Sequence, residues 1–338
     1  MPHAFFDGLM KRARKAPGSI CLPESSSPDI LRLADAIVRA GIGRPWLIGR
    51  PEELMSRCGD LGIDGRPFHV FDNRDEPSVE RLADAYMAQC DQFARKPLLR
   101  RIADPLLCSM VLVRAGMVDC VAAGKECPTG DVVAAAMGVV GLAEGMRTPS
   151  SLGIADIPGY EGPQGSMLAL ADCALTVQPD AEELAGIAIA SGETVRAMLG
   201  WEPRIAMLSF STCGSAEHAS LNVVREAVSL VRERRPDLAC DGEFQLDAAL
   251  VPHVAEYKVG RASDVAGRAN TLIFPNLHAG NIGVKMVQIF GHANAYGPVL
   301  QGFAKPVCDF SRSAPLEEML GNVAMLVMRA RATVGEAA

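Results

Sequence analysis

The strongest constraint on the fold is a repeated order of short apolar strand, polar loop and helix. Apolar strands are predicted at residues 19–22, 120–123 and 204–210, and each is followed by polar residues and then by a helical pattern. Such alternation is typical of parallel sheets, because a helix must return the chain to the start of the next strand. The sequence therefore predicts an α/β protein with mostly parallel sheets flanked by helices.

Composition excludes several classes of protein. The chain has 338 residues, 49% of them apolar and 22% charged, which suits a globular protein of about two domains. Its net charge is −7, it has no long basic run, and it has only four Tyr and two Trp for stacking on bases. No nucleic acid is therefore expected as a partner.

The sequence also carries signals of location. The longest apolar run to consider, residues 132–143, is too short and too rich in Gly and Ala to span a bilayer, so no membrane is expected as a partner. Residues 1–14 lack the apolar core of a signal peptide. The ten Cys form neither a C-x-x-C motif nor a metal-ligand spacing with the six His. We therefore predict a cytoplasmic protein with reduced cysteines and no metal site.

Polar loops follow several predicted strands. Three of them, at residues 124–131, 211–220 and 311–316, open helices, and a fourth at 279–283 leads into a helix in the same manner. In open parallel sheets, ligands bind beyond the carboxyl ends of the strands, and free N–H groups at a helix start attract anions. These loops are candidate anion sites, although an ordinary α/β connection has the same pattern.

Basic residues gather around a predicted helix break in the first half of the chain. Residues 78–96 have a strong helical pattern, and Pro97 is expected to end or kink that helix. The basic residues at the break are Arg95, Lys96, Arg100 and Arg101.

Six motifs occur in one order between residues 171 and 312. They are ADCA from residue 171, PRIAMLSFS from 203, DGEFQLDAA from 241, FPNLHAGNI from 274, GPVLQG from 297 and KPVCDFSR from 305. Together they resemble the phosphate acetyltransferase and phosphate butyryltransferase family. The resemblance is weaker, but continuous, before residue 150.

The resemblance implies a reaction in which acyl phosphate and coenzyme A give acyl-CoA and phosphate. Coenzyme A is then a substrate, and no cofactor stays bound. The family also implies a homodimer of two-domain α/β subunits, with the active-site cleft between the domains. The predicted domains are a discontinuous first domain, 1–148 plus 298–338, and an inserted second domain, 149–297.

The resemblance assigns Ser311 and Arg312 to the family's catalytic Ser–Arg pair. Acyl transfer passes through a tetrahedral oxyanion, to which a serine hydroxyl can donate a hydrogen bond worth about 3 kcal/mol. A guanidinium can hold phosphate in a bidentate manner. Without the resemblance, a surface turn with an exposed arginine is the alternative.

The family also places a carboxylate seven residues after this serine, where this chain has Glu318. Its expected role is that of a base toward the coenzyme A thiol, because a free thiol has a pKa near 8.5. The alternative for Glu318 and its neighbour Glu317 is to complement the dipole at the start of a helix.

Further residues are candidates for binding phosphate or coenzyme A. They are Arg95, Lys125, Thr129, Ser211, Gly214, Asn281 and Asp309. The family has an arginine on the helix after the first polar loop, but this chain has Ala134 there. Lys125 is a possible substitute, although an ammonium lacks the planar fork of a guanidinium.

Acetyl transfer between acetyl phosphate and coenzyme A is the leading functional prediction. Transfer of propionyl or butyryl groups is a second. A noncatalytic acetyl-CoA-binding relative, like the family-like domains fused to malic enzymes, is a third; Ala134 favours it, whereas the retained Ser311, Arg312 and Glu318 oppose it. A metal-dependent hydroxyacid dehydrogenase of related architecture lacks support, because the sequence has no nucleotide motif or aspartate cluster.

Overall fold

The computed structural model describes residues 3–333 of the chain. The chain divides into two compact units: unit 1 comprises Met1–Ala143 and Phe303–Ala338, and unit 2 comprises Glu144–Gly302. The first two and last five residues of the predicted first domain lie outside the described residues. The predicted domain boundaries at residues 148 and 298 stay predictions.

Unit 1 contains a parallel sheet of five strands. The strands are β1 (Gly18–Leu22), β2 (Gly43–Ile48), β3 (His69–Phe71), β4 (Cys120–Ala123) and β11 (Val307–Asp309). Their order is β3-β2-β1-β4-β11, and every neighbouring pair is parallel. The α-helices of this unit are α1 (His3–Ala13), α2 (Pro28–Ala40), α3 (Pro51–Asp60), α4 (Glu76–Met87), α5 (Arg95–Ile102), α6 (Pro105–Arg114), α7 (Thr129–Ala135) and α13 (Leu316–Thr333), and a π-helical turn, Ala136–Val140, directly follows α7.

Helix α2 shows how local sequence defines these elements. It begins at Pro28, whose fixed φ suits a first helical position, and it ends at Gly41, which has φ +68°. Its apolar side chains recur at helical spacing, and Ile30, Leu33 and Ile37 are fully buried. The apolar spacing from Pro28 to Ala40, with Gly41 after it, predicts a helix with these bounds and this cap, and both are confirmed.

The predicted helix over residues 78–96 is wrong. Helix α4 ends at Met87, and α5 begins only at Arg95. Pro97 is the third residue of α5, where an N–H has no partner within the helix, so proline is tolerated there. The break therefore lies before all four basic residues, at residues 88–94, and not among them at Pro97.

Unit 2 contains a mixed sheet of six strands. The strands are β5 (Ser150–Asp156), β6 (Met167–Ala171), β7 (Arg204–Leu208), β8 (Ala239–Phe244), β9 (Thr271–Ile273) and β10 (Asn294–Gln301). Their order is β10-β5-β6-β9-β7-β8; β5 is antiparallel to β6 and β10, and the remaining pairs are parallel. The helices are α8 (Ala181–Leu199), α9 (Ala219–Arg234), α10 (Leu246–Leu250), α11 (Pro252–Val259) and α12 (Leu277–Phe290). The predicted α/β class is confirmed.

Capping residues fix two helices of unit 2. Asp180 and Glu183 form a reciprocal capping box at the start of α8, as the position of Asp180 predicts. Asn276 caps α12 by accepting a hydrogen bond from the N–H of Ala279 at 3.0 Å. The predicted loop at residues 279–283 is therefore wrong, because these residues already lie in the first turns of α12.

Candidate active site

Two loops of unit 1 start side by side at the carboxyl edge of its sheet. Ala123 at the end of β4 is in register with Asp309 at the end of β11, and the strands are parallel. The N–H of Phe310 donates to the carbonyl of Ala123 at 2.7 Å. The loop that begins at Gly124 and the segment that carries Ser311 and Arg312 therefore leave the sheet together.

Ser311 and Arg312 lie in a tight, exposed turn. The N–H of Ala314 donates to the carbonyl of Ser311 at 2.9 Å, and the hydroxyls of Ser311 and Ser313 are 3.0 Å apart. Phe310 is 1% exposed and anchors the start of the turn, whereas Ser311 and Arg312 face solvent. Both predicted catalytic side chains are thus available to a ligand on a fixed backbone.

Lys125 fastens this turn. Its ammonium donates to the carbonyl oxygens of Arg312 at 3.0 Å and Ala314 at 3.1 Å, and it lies 3.4 Å from a carboxylate oxygen of Asp29. Two of the three donors of this ammonium thus have carbonyl acceptors, and the carboxylate of Asp29 lies within ion-pair distance. Lys125 is therefore engaged within the protein, which argues against the predicted role as a replacement for the missing arginine.

Asp309 is buried and only partly satisfied. Its Oδ2 accepts a hydrogen bond from the Thr129 hydroxyl at 2.6 Å, but within residues 3–333 its Oδ1 has no hydrogen-bond partner. Burial raises the pKa of Asp309 to about 6, and the nearby charge of Glu24 adds to the effect, while Thr129 and Arg312 offset part of it. A residue with a Cβ at position 124 would collide with Oδ1, so Gly124, with φ +97°, permits this approach.

Glu318 lies in the first turn of α13 and is half-buried, whereas Glu317 is exposed. Burial raises the pKa of Glu318 above its ordinary value, and the charge of Lys125 offsets part of that increase. A carboxylate with a raised pKa is a stronger base, which suits removal of a thiol proton near neutral pH. The charge of Glu318 also contributes to raising the pKa of the buried Cys308 thiol, after burial and Asp309.

Glu24 is a site residue that the sequence interpretation missed. Its carboxylate accepts hydrogen bonds from three consecutive N–H groups, those of Lys125 at 2.9 Å, Glu126 at 2.8 Å and Cys127 at 2.9 Å. The N–H groups of this loop therefore bind a carboxylate of the same chain, and the predicted binding of a ligand anion there stays a prediction. One signal in the sequence pointed to it: Glu24 follows the end of β1, a strand of the same parallel sheet.

The arginines expected around the phosphate differ from the family pattern. Arg95 begins α5, and its guanidinium pairs with the carboxylates of Glu80 and Asp84 on α4, which offsets its charge. Ala134 is exposed on α7, so the arginine of the family has no counterpart there. Both the sequence and the geometry thus support the exposed guanidinium of Arg312 as a ligand for phosphate.

In unit 2, the loop after β7 closes around Glu243 of β8. The carboxylate of Glu243 accepts hydrogen bonds from the Ser211 hydroxyl at 3.0 Å, the Gly214 N–H at 2.9 Å, and Arg225 at 3.0 and 3.1 Å. Burial alone raises the pKa of Glu243, but these hydrogen bonds outweigh it and lower the pKa to about 2. Ser211 and Gly214 thus bind an internal carboxylate, and their predicted contact with a ligand stays a prediction.

Asn281 lies within α12 and is exposed, and its side-chain amide donates to the carbonyl of Cys173 at 3.2 Å. Its predicted role in binding coenzyme A stays a prediction.

The two thiols beside the candidate site are poorly suited to act as nucleophiles. Burial, followed by Glu24, raises the pKa of Cys127 to about 12, and burial also raises the pKa of Cys308. Both thiols therefore stay protonated near neutral pH and are weak nucleophiles. Within residues 3–333, no group of His, Cys, Asp and Glu is arranged to hold a metal ion.

Among the helices between residues 3 and 333, none combines the length and the hydropathy that a bilayer-spanning helix needs.

Comparison with known proteins identifies the family. The model of the phosphate acetyl/butaryl transferase family matches residues 4–327. This chain belongs to that family. It is 37% identical over 330 residues to the phosphate acetyltransferase of Thermoanaerobacterium thermosaccharolyticum, covering 97% of this chain and 100% of the relative. The family predicted from the six motifs is thus confirmed.

Solved structures of family members have the same fold. A phosphotransacetylase from Streptococcus pyogenes superposes with a TM-score of 0.88 at 31% identity, covering 96% of this chain and 98% of the other. The EutD phosphotransacetylase of Staphylococcus aureus gives a TM-score of 0.86 at 30% identity, covering 96% and 99%. The relatives are acyltransferases, so the predicted enzyme class is confirmed by family membership.

Proposed function

We propose that this protein is a phosphate acetyltransferase, which transfers an acetyl group reversibly between acetyl phosphate and coenzyme A. The observation that carries the proposal is the exposed Ser311–Arg312 turn, whose backbone carbonyls at Arg312 and Ala314 accept hydrogen bonds from Lys125. The half-buried Glu318, whose pKa the charge of Lys125 affects, lies in the helix that follows this turn. The names of the curated relatives support acetyl as the acyl group.

The proposed mechanism uses one group for each step. Glu318 takes the proton of the coenzyme A thiol, and the thiolate attacks the carbonyl carbon of acetyl phosphate. The hydroxyl of Ser311 donates a hydrogen bond to the resulting oxyanion. The C–O bond to phosphate then breaks, and Arg312 stabilises the departing phosphate. The phosphate receives the thiol proton, which restores the carboxylate of Glu318. The products are acetyl-CoA and phosphate, and no metal or bound cofactor takes part.

A panel assay tests the proposal. Purified protein is mixed with coenzyme A and acetyl, propionyl or butyryl phosphate, and thioester formation is followed. We expect acetyl phosphate to give the highest kcat/KM, and we expect Arg312→Ala to lower it by about 10³-fold, because a charged hydrogen bond at the transition state is lost. The matched control is Arg39→Ala, an exposed arginine that pairs with Asp35 on the same helix.

Two outcomes would contradict this assignment. Near-normal turnover by a folded Arg312→Ala protein would remove Arg312 from the mechanism. A preference for propionyl or butyryl phosphate would support the second acyl specificity of the family instead.

A noncatalytic acetyl-CoA-binding protein is the second candidate, and one observation favours it. Ala134 replaces the family arginine, and Lys125 is engaged by two backbone carbonyls and by an ion pair with Asp29, so neither supplies a free charge to phosphate. Calorimetry separates the candidates: binding of acetyl-CoA without turnover of any acyl phosphate supports this one.

We propose a homodimer as the assembly. Four apolar residues on α12 are exposed at helical spacing: Ile282 by 58%, Met286 by 52%, Ile289 by 63% and Phe290 by 75%. A two-fold axis would bury this stripe against its own copy, because a C2 interface uses the same patch twice. Light scattering should show a dimer that Ile289→Lys converts to a monomer, whereas Tyr257→Lys, at an exposed residue outside α12, should remain dimeric.

We also propose a cytoplasmic location. All ten cysteines are free thiols, which suits a reducing compartment, and coenzyme A and acetyl phosphate are the proposed substrates. Fractionation of cells that produce the protein tests this location, and recovery in an extracellular fraction would contradict it.

A further inference from the structure

The loop after β4 presents three consecutive N–H groups to one side, and this is the geometry of an anion nest. The carboxylate of Glu24 fills it, with Oε2 on the N–H of Lys125 and Oε1 on those of Glu126 and Cys127, all within 2.9 Å. Such nests commonly bind phosphate groups of ligands. Here the substrate phosphate would have to displace Glu24, so the nest serves the protein itself.

The filled nest is connected to the catalytic turn through one residue. The N–H of Lys125 is held by Glu24, and its ammonium holds the carbonyls of Arg312 and Ala314. The side chain of Lys125 is only 10% exposed, so it is packed in one arrangement between the two loops. The position of the Ser311–Arg312 turn therefore depends on the position of the nest.

We propose that Glu24 is a positioning residue for acyl transfer, and that its carboxylate stands in for a bound anion and places Lys125 against the turn that carries Ser311 and Arg312. The inference rests on the proposed function of that turn. It assigns no contact with substrate to Glu24 or Lys125. It makes Arg312 the residue that meets the phosphate, and it leaves the nest out of substrate binding.

Glu24→Ala tests the inference by emptying the nest. We expect kcat to fall about 100-fold with little change in KM, because a displacement of about 1 Å at the reacting groups has an effect of that size. The matched control is Glu126→Ala, which removes an exposed carboxylate from the same loop and leaves the nest filled. A folded Glu24→Ala protein with kcat within threefold of the wild type would overturn the proposal.

Chemical rescue separates positioning from general stability. Formate is small enough to enter the space left by the Glu24 side chain, and it restores a carboxylate to the three N–H groups. We expect sodium formate, compared with sodium chloride at equal ionic strength, to raise both the kcat and the melting temperature of Glu24→Ala. It should leave the wild type and Glu126→Ala unchanged. If formate does not reverse the loss of kcat, a carboxylate in the nest is not what positions the catalytic turn, and the proposal is contradicted.

A double-mutant cycle tests the connection. If Glu24 acts through Lys125, the loss in kcat of Glu24→Ala with Lys125→Met should be close to that of the larger single variant, because coupled residues are not additive. If the two losses in kcat multiply in the double variant, Glu24 does not act through Lys125 and the proposal is overturned. The melting experiment with formate needs no turnover, so it can support the filled nest even if the wild type proves inactive, and inactivity would then contradict only the proposed function.

Discussion

Two loops at strand ends in this molecule each surround a buried carboxylate, but they differ in how that carboxylate is satisfied. In unit 2, Glu243 accepts hydrogen bonds from Ser211, from Gly214 and from the Nε and Nη2 atoms of Arg225. In unit 1, Asp309 receives one from Thr129, and its second oxygen has none within residues 3–333. The same topology thus holds one carboxylate in a favourable environment and another in an unfavourable one.

The two carboxylates differ in how strongly their surroundings stabilise the charged form. Hydrogen bonds lower the pKa of Glu243 to about 2, whereas burial raises the pKa of Asp309 to about 6 and also raises that of Glu318. Carboxylates with raised pKa values beside an exposed arginine are typical of catalytic sites, and saturated ion pairs are typical of structural ones. We therefore interpret the loop of unit 1 as functional and that of unit 2 as structural.

The largest effect should come from Glu318→Gln. Without a base, the coenzyme A thiol must ionise unaided, so kcat should fall about 10³-fold while the melting temperature stays close to that of the wild type. The acid limb of the pH–rate profile, which lies at higher pH than an ordinary glutamate because the pKa of Glu318 is raised, should disappear. Glu317→Gln, at the exposed neighbour, is the control. Turnover within threefold of the wild type would break the functional interpretation of unit 1.

Glu243→Ala should lower the stability of the protein and leave its kcat unchanged, which is the opposite of the effect expected for Glu318→Gln. It leaves the partly buried Arg225 and the Gly214 N–H without their acceptor, so the free energy of unfolding should fall by about 2 kcal/mol, while the folded fraction keeps its activity. Urea denaturation measures the change, and Glu226→Ala, an exposed carboxylate on α9, is the control. An effect on kcat without an effect on stability would reverse the assignment of the two loops.

The pH dependence of stability should differ in sign between the two carboxylates. Asp309 has a folded pKa of about 6, above the unfolded value of about 3.9, so its contribution falls as pH rises from about 4 to 6, by up to about 3 kcal/mol. Glu243 has a folded pKa of about 2, below the unfolded value, so its contribution is lost as pH falls from about 4.3 to 2. Asp309→Asn should flatten the first interval and Glu243→Gln the second. Identical unfolding curves from pH 4 to 8 for wild type and Asp309→Asn would contradict the raised pKa.

The smallest effect should come from Ala134→Arg. The position is exposed on α7 and can accept a long side chain, and a second guanidinium should lower the KM for acetyl phosphate about tenfold. Ala134→Met adds length without charge and serves as the control. If Ala134→Arg leaves KM unchanged, the site of unit 1 already has sufficient positive charge without the family arginine.

Local signals predicted much of the fold, and contacts between distant residues explain most of what was missed. The Gly41 cap, the Asp180 cap and the bounds of β4 depend on neighbouring residues, and all three are as predicted. The role of Lys125 depends on carbonyls 187 and 189 residues away, and that of Ser211 on a carboxylate 32 residues away. Spacing along a sequence carries no information about which acceptor a loop will meet. Pro97 was misjudged for a local reason, because proline fits the first turn of a helix as well as its end.

Unit 1 is formed by two separate segments of the chain, and this has a consequence for biosynthesis. Strand β11 and helix α13 follow the whole of unit 2 in the chain. On the ribosome, the edge of β4 that β11 later covers therefore stays unpaired while residues 144–302 are made, and unpaired strand edges invite mispairing. The turn with Ser311 and Arg312 arrives together with the strand that closes this edge. Completion of the sheet and acquisition of the proposed chemistry are thus one event, so a nascent chain that stops before β11 lacks both.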